Sequence, residues 1–446
     1  MDEDTTSVLF GLDEYRVLDV ERLRDDGIRV VRVVIEQVEQ EGACPGCGVL
    51  TSRVKQRSRV RIRDLPAGGQ RVQVWCVRRR LVCAETACPR RSFTQASAQI
   101  PARARLTTRL REQLVVAVGR SNRAVAEVAA EYGVAWRTTH RALVAHAARA
   151  LPAPAPTKVL GLDETRTKRV RWLLEQVENV DGTGTTVTTQ CWRRSNPWMT
   201  SFVDADPDRA GLLLGLAPGR SGACVEDWLR EQTPEFRAAI ELVVIDPSAP
   251  YASGVRKVLP DAAIAVDKWH LVRLANEMVT EVRQRLTRER HGHRGTGKIA
   301  SWRYRNMFLT GGNRLSPKQI ARLRTVLAED DPTDQLGAAW AVKERLRMLL
   351  VEHDPDRIRH RLWQFYDAAA RADVPEATRL ATTIETWWPT ILTALTRRVT
   401  NARTEGFNRV IKQTKRVACG FRNMDNYERR IMVHIALTRT RPEAAA

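Results

Sequence analysis

Residues 241–251 read ELVVIDPSAPY, an apolar, β-branched run that ends in Asp246 and passes directly into a turn. An apolar run of about four to eight residues, bounded by Pro and polar residues, indicates a buried strand. Two further runs have the same form, VLGLDE at 159–164 and AAIAVDKWH at 262–270. Because helical stretches such as GACVEDWLREQ separate these runs, residues 157–275 are predicted to form an α/β sheet.

Two of these runs are of particular interest: VLGLD ends in Asp163, and ELVVID ends in Asp246. Ligands of open α/β sheets bind beyond the carboxyl ends of the strands. If the two strands are parallel neighbours, the carboxylates converge and need a cation, for which such oxygen ligands favour Mg²⁺ or Mn²⁺. Two ions held in this way can activate a water or a 3′-hydroxyl for phosphodiester chemistry. A single strand-end Asp is more often a turn or cap residue, so the prediction depends on the combination.

A third carboxylate is expected on the basic helix predicted over NARTEGFNRVIKQTKR, residues 401–416. Its inner side is predicted to carry Phe407, Val410 and Ile411. An adjoining face at helical spacing carries Glu405, Asn408, Arg409 and Lys412. This arrangement would hold the Glu405 carboxylate at a metal and direct basic groups toward phosphate.

The overall charge points to a polyanionic partner. The chain has 446 residues, 43% of them hydrophobic, and a net charge of +21. A charge of this size is typical of nucleic-acid binding, although a basic proteome or a ribosome-associated protein is an alternative. No run approaches the roughly 20 apolar residues of a membrane span, and the acidic start MDEDTTSVLF is unlike a signal peptide. A cytoplasmic, nucleoid-associated protein is therefore expected.

Five of the eight cysteines lie between Cys44 and Cys88, which favours metal binding over a disulfide framework. Two pairs supply the four sulfurs of a closed structural Zn²⁺ site: Cys44 and Cys47, then Cys83 and Cys88. A redox CxxC motif is the alternative. Cys76, in QVWCVRRR, is expected to be a strand residue and not a ligand.

Two stretches are expected to contact DNA. Between the cysteine pairs, basic residues recur at period two and would share one face of a strand: Arg53, Lys55, Arg57, Arg59, Arg61 and Arg63. Like charges along one face repel each other, and DNA phosphates would neutralise them. The alternative to DNA contact is an ordinary solvated surface.

Residues 121–147 have helix-turn-helix character, with a helix over 124–132, a turn at Gly133 and a second helix from about Ala135. The expected packing positions are Ala126, Val134 and Leu143. The second helix would contact DNA through Arg137, Thr138, Thr139 and Arg141.

Nearly end to end, the chain resembles the ISL3 family of bacterial insertion-sequence transposases. The matching stretches are CPGCG, LVCAETACPRRSF, GLDE, IDPSAPY, AVDKWHLV and TEGFNRVIKQTKRVACGFRNMDNYERRI. The resemblance implies an RNase H-like core whose DDE triad is Asp163, Asp246 and Glu405, and it implies zinc ligands at the four paired cysteines.

Two details accompany this resemblance. Asp267 and His270 match an Asp-x-x-His element beside the active site of several transposases, although His270 could equally be an ordinary helix-start histidine. The family usually has Met where this chain has Pro247, a change that removes an amide but leaves the carboxylate of Asp246. Glu164 is left out of the site because, next to Asp163 on a strand, it should point to the opposite face.

The predicted fold is therefore a multidomain α/β protein, with a zinc ribbon and helix-turn-helix followed by an RNase H-like core that an all-α insertion interrupts. The expected segments are strands and ribbon over 1–100, helix-turn-helix over 101–150, linker over 151–156, first core part over 157–275, helical insertion over 276–398, and last core part over 399–446. The insertion contains Trp302, Trp340, Trp363, Trp387 and Trp388.

The expected function is that of a DNA transposase that binds the terminal inverted repeats of its insertion sequence. It would cleave and join DNA strands with divalent metal, acting as a homodimer or higher assembly away from membranes. The alternatives are a domesticated, non-cutting DNA-binding regulator, a metal-dependent nuclease of the same fold, and a binder of structured RNA.

Overall fold

The computed structural model describes residues 5–25, 27–180, 186–195 and 197–439. It divides into two compact units, the first from Met1–Leu151 and Gln413–Ala446 and the second from Pro152–Lys412. The division after Leu151 falls in the LPAPAP segment, whose prolines lack the amide donors that helices and sheets need. In the described part of the chain, no helix has both the length and the apolar character to span a bilayer.

The N-terminal part of the first unit is mostly sheet. Its elements are α1 (Thr5–Phe10), β1 (Tyr15–Asp25), β2 (Ile28–Gln37), β3 (Gly42–Ala43), β4 (Leu50–Thr51), β5 (Val54–Arg63), β6 (Arg71–Val82) and β7 (Ser92–Thr94). A five-stranded sheet has the order β1-β2-β6-β5, with β7 also paired to β6. Alternate residues of these β-branched strands, such as Val33, Ile35, Ile62 and Val74, form its core.

Three helices follow in this unit: α2 (Thr108–Val115), α3 (Val125–Glu131) and α4 (Trp136–Ala150). A π-helical turn, Val116–Arg120, extends α2. Gly133 turns the chain between α3 and α4 with a φ of 60°, a conformation that glycine adopts without strain. The helix-turn-helix therefore has the bounds that the sequence predicted to within about two residues.

The second unit is built on a mixed sheet. Its strands are β8 (Val159–Arg166), β9 (Trp172–Val180), β10 (Thr186–Arg194), β11 (Trp198–Asp204), β12 (Leu213–Pro218), β13 (Leu242–Ile245) and β14 (Ala263–Val266). Five of them have the order β12-β11-β8-β13-β14. β11 is antiparallel to both of its neighbours, β8 and β12. β13 is parallel to both of its neighbours, β8 and β14. β9 and β10 form a separate two-stranded hairpin.

Three helices accompany this sheet: α5 (Gly222–Glu231), α6 (Pro234–Ala238) and α7 (Ala249–Val258). Their apolar residues share a buried cluster with Leu160, Leu162 and Phe202 of the strands. Trp228 of α5 stacks on Phe202, with ring centroids 3.8 Å apart. This packing fixes the strands whose ends carry the acidic residues.

From Lys268 to Arg397, every described element is helical. The α-helices are α8 (Lys268–His291), α9 (Ala300–Arg303), α10 (Arg305–Leu309), α11 (Pro317–Asp330), α12 (Gln335–Leu350), α13 (Pro355–Ala372) and α14 (Pro375–Arg397). They share one buried apolar cluster, to which Val266 of β14 also belongs. The next helix, α15 (Ala402–Val417), returns the chain to the sheet.

The last helix, α16 (Met424–Arg439), differs from expectation. Residues 399–446 were all expected to belong to the catalytic core, but the chain from Gln413 onward belongs to the first unit. Val433 of α16 joins the buried cluster of the helix-turn-helix, and His434 Nδ1 lies 2.8 Å from the carbonyl oxygen of Gly119. The apolar face of α16 is thus buried against the helix-turn-helix.

Candidate active site and metal centre

Asp163 and Asp246 lie where two neighbouring parallel strands stop pairing, Asp163 within β8 and Asp246 directly after β13. The two strands are parallel neighbours, the condition on which the sequence prediction depended. The pairing of β8 with β13 ends at Gly161 and Val244. Each aspartate stands two residues beyond these partners, so the two are level with each other. Oxygen atoms of Asp163, Glu164 and Asp246 all lie within 4.8 Å of one another.

Glu164 is part of this carboxylate cluster, and the expectation that it points away was wrong. Adjacent residues of a strand direct their side chains to opposite faces, so alternation alone would separate Glu164 from Asp163. Here β8 loses β13 after Gly161, so the following residues lie along an edge that β13 leaves open. The longer side chain of Glu164 reaches Asp246 along that edge.

The electrostatics of the cluster call for a cation. Burial, followed by the charge of Asp246, raises the pKa of Asp163 to about 7. The same two causes raise the pKa of Glu164, and Arg220 and His270 partly oppose the rise. A divalent ion among these oxygens would remove the repulsion and hold all three acids ionised.

Arg220 is a basic neighbour that the sequence analysis did not single out. It lies between β12 and α5, and its guanidinium stands 4.4 Å above the ring centre of Trp198. Its charge lowers the pKa of Glu164, so it faces the carboxylates. As one of 73 lysines and arginines, it carries no motif by which sequence could have distinguished it.

α15 contributes an amide to the site. Asn408 Nδ2 donates a hydrogen bond of 2.6 Å to Asp163 Oδ2, and Ser201 Oγ lies 3.1 Å from Asn408 Oδ1. Asn408, which the sequence placed on the same face as Glu405, is buried. Glu405, one turn earlier on the same helix, is exposed, and the described metal-capable clusters do not include it.

The contact between α15 and β8 requires Gly161. A Cβ at this position would lie 2.3 Å from Thr404 Oγ1 and 3.0 Å from Asn401 Oδ1. We expect Gly161→Ala to lower the free energy of unfolding by about 1–3 kcal/mol, because the helix must shift or its side chains must leave their rotamers. Urea unfolding followed by circular dichroism measures the change.

Gly406→Ala is the matched control for this variant. It lies on α15 with nothing within 4 Å of the added Cβ, and it should be neutral or stabilising. Equal unfolding midpoints for Gly161→Ala and wild type would contradict the close packing of β8 and α15.

His270 and Asp267 also lie at the site. His270 Nδ1 is 2.9 Å from Asp246 Oδ1 and 3.5 Å from Asp267 Oδ2. Burial alone would lower the pKa of His270, but the two acids raise it to about 9. The approach to Asp246 lacks hydrogen-bond geometry, so Asp246 Oδ1 remains a buried oxygen without a hydrogen-bond partner. Such an oxygen suits a metal ion.

A cleft of about 350 Å³ opens over these groups. Its lining includes Glu164, residues 246–250, His270 and Arg273. A phosphodiester entering this cleft would meet the carboxylates on one wall and a basic side chain on another. The site thus has room for a substrate and ligands for a cation.

The four predicted zinc ligands converge in the first unit. Cys44 and Cys88 sulfurs are 3.9 Å apart, those of Cys47 and Cys83 are 3.5 Å apart, and all four lie within 4.8 Å of one another. A tetrahedral ion with Zn–S bonds of about 2.3 Å needs sulfurs about 3.8 Å apart. Backbone amides of Gly46 and Cys47 lower the pKa of the Cys44 thiol to about 7. Cys76 is a buried strand residue, as expected.

The basic strand is β5, and most of it is exposed. A register shift between Val54 and Gln56 interrupts the alternation, so Lys55 is displaced from the regular pattern. Arg57, Arg59, Arg61 and Arg63 follow the shift at period two on one face. Arg63 ends the strand beside the helix-turn-helix, with Nη1 3.5 Å from where a Cβ on Gly133 would lie.

The helix-turn-helix exposes part of its predicted contact set. On α4, Arg137 and Arg141 are exposed and Thr138 is half-buried. Thr139 is only 1% exposed, so its assignment as a DNA contact was wrong. It shares the packed face of α4 with Leu143, four residues later.

Of the expected packing positions of the helix-turn-helix, Leu143 is buried and Val134 is half-buried, but the expectation for Ala126 was wrong. Ala126 is exposed, and the buried residues of α3 are Val128 and Ala129. On α15, Arg409 and Lys412 are exposed, as a phosphate contact requires.

Comparison with known proteins gives a consistent result. A model of the ISL3 DDE group, described as "Transposase", matches residues 160–431, more than half of the 446 residues. Residues 40–88 match "zinc-finger of transposase IS204/IS1001/IS1096/IS1165", and residues 89–147 match "Helix-turn-helix domain of transposase family ISL3". The transposase for insertion sequence element IS1001 from Bordetella parapertussis is 24% identical over 434 residues, which cover 96% of this chain and 97% of that protein.

Proposed function

Because the chain belongs to the ISL3 family of transposases, we propose that its convergent carboxylates cleave DNA strands at the ends of an insertion sequence and join them to a target. The observation that carries this proposal is the meeting of Asp163 and Asp246 just beyond the point where the adjacent parallel strands β8 and β13 stop pairing. The strand order and directions support an RNase H-like core, into which the helices from α8 to α14 would be inserted.

Magnesium or manganese is the proposed catalytic metal. Asp163 and Asp246 would hold it, with Glu405 completing the triad and Glu164 as an additional carboxylate. The fit rests on clustered hard oxygens, on the raised pKa of Asp163 and on Asp246 Oδ1, which is buried and lies 2.9 Å from His270 Nδ1 without a hydrogen bond. When bound, two such ions would activate the attacking water or 3′-hydroxyl and stabilise the leaving oxygen.

The chain's own residues prepare this site for DNA. Asn408 holds the carboxylate of Asp163 through Oδ2 and so fixes its orientation. His270, flanked by Asp246 and Asp267, supplies positive charge on the other side. Arg220 is placed to attract the phosphate backbone, and Arg409 and Lys412 present further cations on α15.

Zinc is proposed for the four-cysteine cluster, where it would be structural. Four sulfurs leave no open coordination position for chemistry. The zinc ribbon carries β5 between its two cysteine pairs, and β5 ends beside the turn of the helix-turn-helix. We propose that β5 contacts phosphates while Arg137 and Arg141 of α4 read the terminal inverted repeats.

A single assay tests the proposed function. Purified protein and Mg²⁺ would be incubated with DNA that carries both element ends, and the products would be resolved for nicks, free ends and joined strands. A transposase yields joined products, whereas a nuclease of the same fold yields only cleaved ones. Pairing of two ends also predicts a homodimer or larger assembly on the nucleoid DNA.

The choice between Glu405 and Glu164 as third catalytic acid gives a separate prediction. We expect Glu405→Gln to reduce cleavage by about a hundredfold or more, because it removes a metal ligand. Glu164→Gln, which keeps the shape of a residue already in the cluster, should reduce cleavage by about tenfold at most. Cleavage rates are measured on an intact element end under single-turnover conditions.

Each of these two variants is the control for the other. Both change one carboxylate to an amide without altering side-chain size. If Glu164→Gln abolished cleavage while Glu405→Gln remained active, the third acid would be Glu164.

A further inference from the structure

The β9–β10 hairpin carries an exposed aromatic surface that the proposed function does not use. It lies between β8 and β11 in the chain and is a sheet of its own. Its register places Trp192 opposite Leu174 and Arg194 opposite Trp172. Since directly opposed residues share a face and every second residue returns to it, Trp172, Leu174 and Trp192 lie on one face.

These three side chains are unusually open to solvent. Trp172 is 62% exposed, Leu174 is 51% exposed and Trp192 is 67% exposed. Most tryptophans of a folded protein bury far more of their surface, because each ring buries about 150–250 Å² when covered. Two exposed rings on one face of a short hairpin therefore indicate a binding surface.

Positive charge surrounds this face. The described chain at the base of the hairpin has exposed basic residues at the end of β8, in the segment before β9 and at the end of β10: Arg166, Lys168, Arg169, Arg171, Arg193 and Arg194. Arg193 forms an ion pair with Glu175 across the hairpin, at 3.2 Å. A second copy of the same basic face would be repelled, whereas a phosphate backbone would be attracted.

The hairpin leaves the sheet beside the carboxylates. β8 carries Asp163 and Glu164, and Arg166 ends that strand. Arg166 is also paired in register with Trp198, the residue over whose ring Arg220 stands. DNA held at the base of the hairpin would therefore pass close to the site of strand cleavage.

We propose that the β9–β10 hairpin binds unpaired DNA bases next to the cleavage site, with Trp172 and Trp192 stacking on bases and the flanking cations holding the backbone. This inference rests on the proposed function for the identity of the substrate. Aromatic side chains stack on any base, so such a surface recognises single-stranded character and not sequence. It would hold the separated strands while the carboxylates act on them.

Binding measurements without added Mg²⁺ or Mn²⁺ test the proposal separately from cleavage. The full chain is titrated into a fluorescent duplex and into the same duplex with a short unpaired bubble. We expect the wild type to prefer the bubble by about tenfold or more, since each stacked base contributes substantially to affinity. The Trp172→Ala/Trp192→Ala variant should lose this preference and keep its duplex affinity.

Three control variants accompany this measurement. Trp172→Phe/Trp192→Phe retains aromatic faces and should retain most of the preference. Leu173→Ala changes an exposed residue on the opposite face, and Trp363→Ala removes an exposed ring from α13. Neither should change the preference for the bubble.

Two results would overturn the proposal. One is an equal bubble preference in wild type and in the double alanine variant, including no preference in either. The other is a fall in the oligomer mass of the double alanine variant, measured by light scattering, while its preference for the bubble is unchanged. That result would make the face an interface between copies of the chain. If cleavage is absent but the tryptophans still determine the bubble preference, the proposed function fails and the hairpin assignment stands.

Discussion

Asp246→Asn is expected to abolish DNA cleavage, by at least about a thousandfold, while end binding stays within about twofold of wild type. Asp246 belongs to both acidic clusters, one with Asp163 and Glu164 and the other with Asp267 and His270. An amide at this position keeps the size of the side chain but removes the charge that holds a divalent ion. No other single substitution would disturb both groups at once.

DNA binding should survive because it depends on a different unit of the chain. The zinc ribbon and the helix-turn-helix lie within Met1–Leu151, whereas Asp246 lies within Pro152–Lys412. Binding is measured by gel shift on an element end, and cleavage by product release with Mg²⁺. Asp261→Asn is the matched control, because Asp261 is an exposed acid just before β14. Cleavage by Asp246→Asn at the rate of the control variant would refute the assignment.

The acidic site was predictable where its residues end apolar runs. VLGLD and ELVVID identify Asp163 and Asp246 because a buried strand followed by an acid is visible in one sequence. Glu164 was not predictable, because its position depends on where β13 stops alongside β8, and register is a property of the folded sheet. The sequence placed Asn408 on the same face as Glu405, but its hydrogen bond to Asp163 of β8 was not predictable, since helical spacing gives faces and not the partners they meet.

The first unit shows the same division between local and tertiary information. Cysteine spacing and a glycine turn predicted the sulfur cluster and the bounds of α3 and α4, because both are local signals. The burial of Thr139 and the docking of α16 are not local. Gly119 is the reason α16 can approach, since a Cβ there would lie 2.8 Å from Leu437 and 2.9 Å from Val433. The sequence around Gly119 contains no local signal of a packing partner more than 300 residues away.

Cys88→Ser is expected to remove zinc from the protein and to weaken DNA binding by about tenfold or more. Apart from zinc, little stabilises the fold of the ribbon. Its buried cluster consists of Leu81 and Phe93 with three of the cysteines. A core of this size cannot offset the entropy of ordering the segment, so metal binding supplies its folding free energy. Loss of the ion would release the base of β6, the strand on which β5 and its arginines depend.

Metal content and binding are measured on the same preparations, by elemental analysis and by gel shift. Cys419→Ser is the matched control, because Cys419 is an exposed cysteine of the same unit outside the sulfur cluster. It should keep one zinc per chain and wild-type affinity. Cys47→Ser should behave like Cys88→Ser, since both remove one of four ligands. Wild-type protein purified without zinc, or a full equivalent retained by Cys88→Ser, would rule out the structural zinc site, and the basic face of β5 would then have to be held by the sheet alone.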